Sequence, residues 1–562
     1  MAEVDPVAGA VAGVPQPASP WNRVTRLFAR FDAFDIATVG LLAAVVVLAL
    51  WTSSDYAISN DEGVQHHYGA LILSYYASGF KDLSVFNFQN LYLYGGLFDI
   101  IAIGLAHLLP IDSYHLRHIL CALIGIGGIA AAAAAARAIA GPRAGLIAAI
   151  TLCVCGVWYG TMFNHTKDIP FAAAMMGATL MLIRIARHLP SPRVSDIAAL
   201  GVLAGAALGM RVIGLILVAY VGFAIAVYLP ARGDGQPRWR FAIESALRLL
   251  PALVPAYLIM IFAWPWAALA PLNPIRGLLA FSEFHYDIRT IFAGQAYDMA
   301  DVPRLYVPIY LLIRLPLVML FGAAVAMLSV LPPLRVTGST PLQRRDICFL
   351  SIAAIFPLAC EVIDHGPAFT GLRHFLFVIP PLAALAGIGL DKVLTLLATR
   401  GRLLASGGLA FVAACFLWNA VTLVRLHPDE YLFYNAAVGG LEGASRRYDV
   451  DYWFNSMPEA VDKLEAYLRH SPPDGSNWQA QVYSVAVCGD RLSFEKTVTL
   501  PQLRYDFMPT WEQSDFFIAP TQMNCDNDLD GKVVATVKRL GVVIATIKDR
   551  RAQTRPLSAA AQ

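Results

Sequence analysis

Long apolar runs dominate the sequence between Ile36 and Val424. A helix needs about 20 consecutive apolar residues to cross the hydrocarbon core of a bilayer, so runs near this length predict membrane spans. Of the 562 residues, 57% are hydrophobic and 15% are charged, and the mean hydropathy is +0.57. This composition predicts an all-α polytopic membrane protein. We predict about eleven transmembrane helices, which lie at Ile36–Trp51, Ile119–Ile139, Ala144–Met162, Ile169–Ile185, Ile197–Met210, Val212–Leu229, Leu249–Leu269, Val307–Leu331, Ile347–Ile363, Phe375–Leu397 and Leu403–Val424.

Two segments determine that number. Gly96–Leu109 is apolar but short, and Asp99 and His107 interrupt it, so we predict a helix that lies on the membrane surface. Ile197–Leu229 would form a helix of about 50 Å if it were continuous, which is too long for a single crossing. We therefore predict two shorter spans with Arg211 at the turn between them.

The distribution of arginine predicts the orientation of the chain. With eleven spans, every short connection on one side is basic, as expected for the cytoplasmic side of a membrane protein. The N-terminus is therefore predicted to be cytoplasmic and the region after Val424 extracytoplasmic, in the inner (plasma) membrane. Joining the two spans around Arg211 would move the last three basic clusters to the outer side. The inner clusters are Arg137 and Arg143; Arg184, Arg187 and Arg193; Arg232, Arg238 and Arg240; Arg335, Arg344 and Arg345; and Arg400 and Arg402.

Both ends of the chain differ from the apolar middle. Residues 1–33 lack the basic start of a cleavable leader, and we predict a disordered tail followed by a short interfacial helix. Residues 34–424 form the predicted transmembrane domain. Residues 425–550 are predicted to form a small extracytoplasmic α/β domain that contains a hairpin near its end, and residues 551–562 a disordered tail. The net charge of +2 argues against a nucleic-acid partner.

Six of the eight cysteines fall in apolar spans, where small buried residues are expected. Cys488 and Cys525 lie in the polar C-terminal region instead. They would form a disulfide in an oxidising compartment, and two free buried thiols are the alternative.

An acidic pair, Asp61-Glu62, follows the first apolar run on the predicted outer side. A carboxylate is costly in lipid, so the pair is expected at the surface or in a hydrated cavity. There, a carboxylate can accept a proton from a substrate hydroxyl. The alternative is a pair of solvated loop acids without a catalytic role.

Basic residues occur in the other outer turns. Lys167 precedes Asp168 and Pro170, a pattern that also suits the beginning of a helix, where an acidic residue is favoured. Arg211 and Arg373 lie at the outer ends of apolar runs, where a charge needs an anionic partner. A phosphate group would satisfy these cations, and salt bridges between helices, also considered for Arg314, are the structural alternative.

The order of these features resembles that of the GT-C-fold membrane glycosyltransferases, and in particular the bacterial branch similar to protein O-mannosyltransferases and the lipid A aminoarabinose transferase. The resemblance covers most of the chain, and short motifs in a fixed order carry it. The motifs are Asp61-Glu62, the surface helices before Arg117, the stretch from Phe163 to Phe171, Gly201 to Arg211, Arg373 to Pro381, and His427 to Tyr431 with Asp451 to Ser456.

The resemblance implies an inverting transfer of a sugar from a polyprenyl-phosphate carrier to a lipid, glycan or protein acceptor on the outer face. By position, Asp61 would be the general base and Glu62 would assist or position it. The resemblance implies no particular cofactor and leaves room for a divalent metal. The residues implied in binding the carrier phosphate and its surroundings are Lys167, Asp168, Arg211, Arg373 and His374.

Two other functions fit the same composition. A secondary transporter or lipid-linked sugar flippase would place its binding charges near the middle of the membrane and commonly shows repeated halves. The charges here gather at one end of the predicted spans, and no repeat is evident. A scaffold protein, in which the outer domain acts and Asp61 is an ordinary loop acid, is the second alternative.

Overall fold

The computed structural model of the protein describes residues 32–229, 237–282, 288–331, 339–364, 366, 368, 370–470 and 478–554. The predicted N-terminal tail and interfacial helix therefore lie almost wholly outside the described residues, as does most of the predicted C-terminal tail. The described part confirms a largely helical membrane region that is followed by a small sheet.

The membrane region consists of helices joined mostly by short turns. Its α-helices, α1 to α18 in chain order, are Ala33–Thr52, Glu62–Ala77, Leu97–Ala106, Ser113–Ala140, Pro142–Cys153, Gly156–Tyr159, Asp168–Ala186, Val194–Leu208, Ile216–Tyr228, Arg238–Leu249, Leu253–Ala263, Pro265–Leu269, Asn273–Ser282, Tyr306–Arg314, Leu317–Leu328, Pro341–Asp364, Ile379–Arg400 and Arg402–Leu426.

All eleven predicted spans fall on helical segments. By length and composition, 7 helices of the described chain can cross a membrane, or up to 8 if one bent pair counts as a single span. Three further predicted spans correspond to shorter apolar helices, α5, α8 and the segment Val212–Tyr228. The protein is thus a multi-span membrane protein, and the number eleven stays a prediction.

The predicted span Val307–Leu331 is wrong as a single straight helix. It consists of α14 and α15, which meet at an angle of 116°. The break falls at Leu315-Pro316, because proline disfavours the helical conformation of the residue before it.

The two segments on which the predicted topology depends contain short helices, and their placement relative to the membrane stays a prediction. Gly96–Leu109 contains only the 10-residue helix α3. The helix α8 ends at Leu208, and a 3-10 turn that begins at Val212 leads into α9, so Arg211 lies in the break.

A close backbone contact joins α3 to this break. A Cβ atom on Gly95 would lie 2.1 Å from the carbonyl oxygen of Gly209, so only glycine fits at this position. The neighbouring Leu97 amide donates a hydrogen bond to the same carbonyl at 3.0 Å. This contact holds the turn with Arg211 against the outer loop that begins near Asp61.

The C-terminal region contains a mixed five-stranded sheet in the order β4-β3-β5-β7-β6. Strands β3, β4 and β5 are parallel, and β7 is antiparallel to both β5 and β6. Two further strands, β1 and β2, form a hairpin in the loop before α14. The strands β1 to β7 are Arg289–Phe292, Gln295–Asp298, Tyr483–Val487, Leu503–Asp506, Phe516–Pro520, Lys532–Arg539 and Val542–Asp549, and the helices α19 to α22 are Gly440–Ala444, Met457–His470, Arg491–Thr497 and Arg551–Thr554.

The hairpin that the sequence predicts near the end of this region is β6–β7. The sequence analysis misses β4, α21 and the hairpin β1–β2, which are short. Cys488 and Cys525 form a disulfide, so the two thiols are not free. Arg551–Thr554 was expected to begin the tail but forms one helical turn.

The C-terminal region packs directly on the membrane region. Arg539 of β6 forms an ion pair with buried Asp429 at 2.7 Å, just after α18. On α21, Lys496 lies 3.6 Å from Asp112, and Leu492 lies where a Cβ atom of Gly63 would be. The sheet therefore lies next to the beginning of α2, where Asp61 is located.

Candidate functional site

Asp61 is the residue before α2, but its carboxylate makes no capping hydrogen bond to that helix. It forms an ion pair with Arg373 instead. The side chain of Asp61 is 38% exposed, so a substrate can reach it. An N-terminal acid that does not cap its own helix is available for other chemistry.

Asp168 and Arg211 continue the ion pair into a chain of alternating charge. Nε of Arg373 lies 3.5 Å from a carboxylate oxygen of Asp168, and Asp168 also pairs with Arg211. The order is therefore Asp61, Arg373, Asp168, Arg211. The side chain of Asp168 is 6% exposed, and that of Arg373 is 15% exposed. Asp168 begins α7 as the sequence predicts, yet its carboxylate binds arginines from two other segments.

Lys167 lies beside this chain and is buried. Its ammonium nitrogen lies 4.0 Å from the centre of the Tyr94 ring, a favourable cation–π distance. Among the described residues, no carboxylate lies within 4.0 Å of it. Burial lowers the pKa of Lys167 to about 8, against the opposing effect of Asp99, Asp61 and Asp168. The ammonium group can therefore lose its proton near neutral pH.

A cavity of about 260 Å³ borders the charged chain. Arg211 and His374 both line it, so Arg211 belongs to the ion-pair chain and to the cavity wall. Glu361 and Asp364, both near the end of α16, also line it. The rest of the wall is largely apolar, with side chains that include Val212, Ile216, Leu278, Phe281, Phe375 and Phe377.

The carboxylate of Glu62, unlike that of Asp61, does not pair with Arg373. The Glu62 carboxylate is buried and accepts a hydrogen bond from the Ser59 amide at 2.7 Å. His118 lies 3.2 Å away, and Arg117 lies 3.9 Å away. Arg117 in turn donates to Asp99 at 2.7 Å. Glu62 thus fixes the turn before α2 from inside the protein, and the sequence alone could not separate its side chain from that of Asp61.

Arg314 differs from the expected salt bridge. It lies at the break between α14 and α15 and donates to the backbone carbonyl of Tyr431. Its guanidinium also lies 4.4 Å from the centre of the Tyr434 ring. Among the described residues, carbonyl oxygens and an aromatic ring, rather than a carboxylate, stabilise this buried cation.

The ring of Trp453 lies against Arg373, although the sequence analysis assigns no role to this residue. The guanidinium carbon of Arg373 lies 4.6 Å from the centre of the Trp453 ring. Trp453 donates to His165 at 2.6 Å, and the hydroxyl of Tyr452 lies 2.6 Å from the same nitrogen. The one available signal was the dense run of aromatic and amide residues from Tyr452 to Asn455.

Potential metal ligands cluster once in the described part of the chain, at Cys488, Cys525 and Asp528. The two cysteines of this group form the disulfide and cannot also act as thiolate ligands. At the ion-pair chain, Asp61 and Asp168 share Arg373. Two carboxylates that already share a cation do not by themselves form a metal site.

Chemically, the site combines an accessible carboxylate with a group of cations beside an apolar cavity. A carboxylate can take a proton from a hydroxyl, and arginines can neutralise a phosphate that leaves with negative charge. In a multi-span membrane protein, such a site suits the class of ligand that joins an anionic group to an apolar chain.

Comparison with known proteins agrees with this class. Residues 103–266 match the model of the family described as dolichyl-phosphate-mannose-protein mannosyltransferase. The matched part covers α4 to α11 and includes Lys167, Asp168 and Arg211. The membrane region therefore resembles the membrane glycosyltransferases expected from the sequence. No curated protein matches the chain.

Several solved structures align with the chain at low identity. ArnT from Cupriavidus metallidurans, solved in the apo state and bound to undecaprenyl phosphate, is 16% identical, with a TM-score of 0.45 over 91% of this chain and 97% of that one. The oligosaccharyltransferase AglB from Archaeoglobus fulgidus, in complex with an inhibitory peptide and a dolichol-phosphate, is 14% identical, with a TM-score of 0.41 over 85% and 69%. The arabinofuranosyltransferase AftD from Mycobacteria is 14% identical, with a TM-score of 0.41 over 90% and 39%.

Proposed function

We propose that this protein is an inverting membrane glycosyltransferase that moves a sugar from a polyprenyl-phosphate carrier to an acceptor hydroxyl on the extracytoplasmic face. The observation that carries the proposal is the chain Asp61, Arg373, Asp168 and Arg211, whose last member also lines an apolar cavity. This arrangement supplies a base for the acceptor and cations for the carrier phosphate at one place. The family match over residues 103–266 supports the same reaction class.

In the proposed reaction, Asp61 accepts the proton of the acceptor hydroxyl while that oxygen attacks the anomeric carbon of the sugar. The bond between the anomeric carbon and the phosphate oxygen breaks, and the phosphate leaves with the electron pair. Arg211 and Arg373 neutralise the phosphate, and Lys167 adds a third positive charge when it is protonated. Attack opposite the leaving group inverts the anomeric centre.

Binding of the carrier would also prepare the base. Arg373 contacts both Asp61 and Asp168, so a phosphate that attracts Arg373 competes with Asp61 for the same guanidinium. A carboxylate that has lost part of its ion pair accepts a proton more readily. The donor would therefore activate Asp61 only when it is in place. Glu62 would hold the turn before α2 without touching the reacting atoms.

The cavity beside Arg211 suits the first isoprene units of the carrier. Its lining includes Val212, Ile216, Phe281 and Phe377, which offer an apolar surface next to the arginine and His374. A lipid phosphate needs this combination of an apolar wall and a cationic end.

The proposal places the C-terminal region outside the cytoplasm. The basic inner connections favour this orientation, and the Cys488–Cys525 disulfide is typical of an oxidising compartment. Single cysteines test it. In intact cells, a membrane-impermeant maleimide should label Lys532→Cys on β6. It should label Ala398→Cys near the end of α17 only after permeabilisation, and the reverse pattern would overturn the orientation.

A lipid-linked sugar flippase is the second candidate, because the bend of 116° between α14 and α15 resembles the broken helices of transporters. Buried Arg314 lies at this break and donates hydrogen bonds to the backbone carbonyls of Asp449 and Tyr431. Its charge therefore stabilises the fold and is not directed at a substrate. The ion-pair chain also lies at the ends of helices rather than midway along them. Both observations favour the transferase.

A direct assay separates the two candidates. Purified protein in nanodiscs is incubated with a panel of polyprenyl-phosphate sugars and hydroxyl acceptors, and free polyprenyl phosphate is measured. The transferase should release the carrier phosphate in step with glycosylated acceptor. Movement of a polyprenyl-phosphate sugar across a proteoliposome membrane, without its consumption, would support the flippase instead.

A further inference from the structure

The segment 449–456 connects the C-terminal region to Arg373. It lies between α19 and α20, and its residue Trp453 is 5% exposed. The guanidinium carbon of Arg373 lies 4.6 Å from the centre of the Trp453 ring. On the other side of this cation are the carboxylates of Asp61 and Asp168. Arg373 is therefore bounded by two anions and one aromatic ring.

Hydrogen bonds fix the orientation of that ring. The indole nitrogen of Trp453 donates to Nε2 of His165 at 2.6 Å. Because an indole N–H can only donate, Nε2 of His165 accepts, and the ring proton lies on Nδ1. Nδ1 lies 3.1 Å from the side-chain oxygen of Asn164 and can donate to it. The amide of Asn164 donates in turn to Asn455 at 2.8 Å, so four side chains form one hydrogen-bonded chain.

A separate contact ties the segment 449–456 to the sheet. Gln522, which follows β5, donates to the carboxylate of Asp449 at 2.6 Å. Its carbonyl oxygen accepts from the Val450 amide at 2.7 Å. Gln522 therefore holds both the side chain and the backbone at the beginning of the segment that carries Trp453.

We infer that Trp453 is a positioning residue for Arg373, and that the C-terminal region controls the carrier-phosphate site by holding Trp453 through Gln522. This inference rests on the proposed function, since it assigns Arg373 to the phosphate of the donor. It gives the C-terminal region a role in catalysis, although none of its strands reaches the reacting atoms.

The physical basis is the shape of the guanidinium group. A planar cation held against an aromatic face keeps a fixed direction for its N–H groups, and burial strengthens the attraction. Without the ring, Arg373 can turn fully toward Asp61 and Asp168. Arg373 would then be less available to a phosphate. The free energy needed to separate its guanidinium from the two carboxylates would weaken donor binding.

The first test uses Trp453→Leu and Trp453→Phe. Removing the aromatic face in Trp453→Leu should raise the KM for the polyprenyl-phosphate sugar about tenfold, with a smaller change in kcat. Trp453→Phe keeps an aromatic face and should recover most of the donor affinity. Trp418→Leu, on the exposed face of α18, is the matched control and should leave the donor KM unchanged.

A double-mutant cycle separates positioning from general damage. In an Arg373→Ala background, Trp453→Leu should have almost no further effect on the donor KM, because its target is gone. An equal loss in both backgrounds would overturn the inference. A donor KM for Trp453→Leu that stays within about twofold of the wild-type value would also overturn it.

The same cycle in thermal unfolding does not depend on activity. The decrease in Tm of the double variant should fall short of the sum of the single decreases by about 2–4 °C if the two side chains are coupled. Coupling without any sugar transfer by the wild-type protein would leave the contact standing and reject the proposed function. Additive decreases would reject the contact itself.

Gln522 tests the role of the C-terminal region. Gln522→Ala lies outside the site, and it should raise the donor KM in the same direction as Trp453→Leu while leaving the acceptor KM unchanged. Gln513→Ala, a surface change before β5, is the control. An unchanged donor KM in Gln522→Ala would show that the sheet does not control Arg373.

Discussion

The guanidinium of Arg373 contacts the carboxylate of Asp61 across 312 positions of the sequence. The acid comes from the turn before α2, and the arginine from the turn before α17. Each is costly to bury alone, and each is held where a third charged group could bind. This contact joins the proposed base to the proposed phosphate site, and the predictions below start from it.

Arg373→Ala should raise the KM for the polyprenyl-phosphate sugar about 10- to 100-fold, since a charge-assisted hydrogen bond to the phosphate is lost. Steady-state kinetics at varied donor concentration measure this. Arg402→Ala, at the beginning of α18, removes an arginine from the predicted inner side and should have no effect. A donor KM that does not change in Arg373→Ala would exclude Arg373 from phosphate binding.

Lys167 should make donor binding depend on pH. Its pKa is lowered to about 8 by burial, so its charge is present below pH 8 and is lost as the pH rises through that value. The donor KM should therefore increase between pH 7 and pH 9. In Lys167→Arg this increase should disappear, because arginine stays protonated throughout the range.

The control for this experiment is Lys81→Arg on the outer loop after α2, which should keep the wild-type pH profile. A profile in Lys167→Arg identical to that of the wild type would assign the titration to another group. A flat wild-type profile would contradict the role of Lys167.

His427 should stabilise the fold below alkaline pH. Its ring lies 2.7 Å from Glu430 and 3.0 Å from Asp55, and the hydrogen bond to Glu430 is the main reason that its pKa rises to about 9. The pKa in the folded protein exceeds the ordinary value of 6.5. The stabilisation is therefore complete below about pH 6.5 and is lost as the pH rises through about 9.

Thermal unfolding of His427→Gln measures this. The variant should have a lower Tm than the wild type at pH 6, and the difference should shrink toward pH 10. A difference in Tm that is constant from pH 6 to pH 10 would show that the charge of His427 contributes nothing.

The disulfide should stabilise the C-terminal region. Cys488 and Cys525 are 37 residues apart, and closing a loop of this size contributes about 2–4 kcal/mol to the free energy of unfolding. Replacing both with serine should lower the Tm. A reducing agent should lower the Tm of the wild type and leave the Tm of the double-serine variant unchanged. Cys415→Ser, in α18, is the control. A wild-type Tm that is insensitive to reduction would argue against the bond.

Hydropathy was enough to predict most of the helices of the membrane region, because a bilayer requires long apolar helices. The break at Leu315-Pro316 was missed, although Pro316 carries a signal for it. The hairpin β1–β2 was missed because strands of four residues leave little periodicity.

For the site, the residue types could be predicted, but not the pairing. Asp61 and Glu62 are equivalent in the sequence, and only the direction of each side chain shows that Asp61 meets Arg373 while Glu62 is enclosed by Ser59 and His118. Trp453 was missed because its contacts are with distant segments of the chain, such as His165, which is 288 positions away.

The most direct test of the account is the release of polyprenyl phosphate from a polyprenyl-phosphate sugar by Asp61→Asn. Asparagine keeps the size of the side chain but cannot accept the proton, so release coupled to acceptor glycosylation should fall by about 10²- to 10⁴-fold while the protein stays folded. Asp82→Asn, in the loop after α2, is the control and should transfer sugar like the wild type. Wild-type transfer by Asp61→Asn would contradict the assignment of Asp61 as the base.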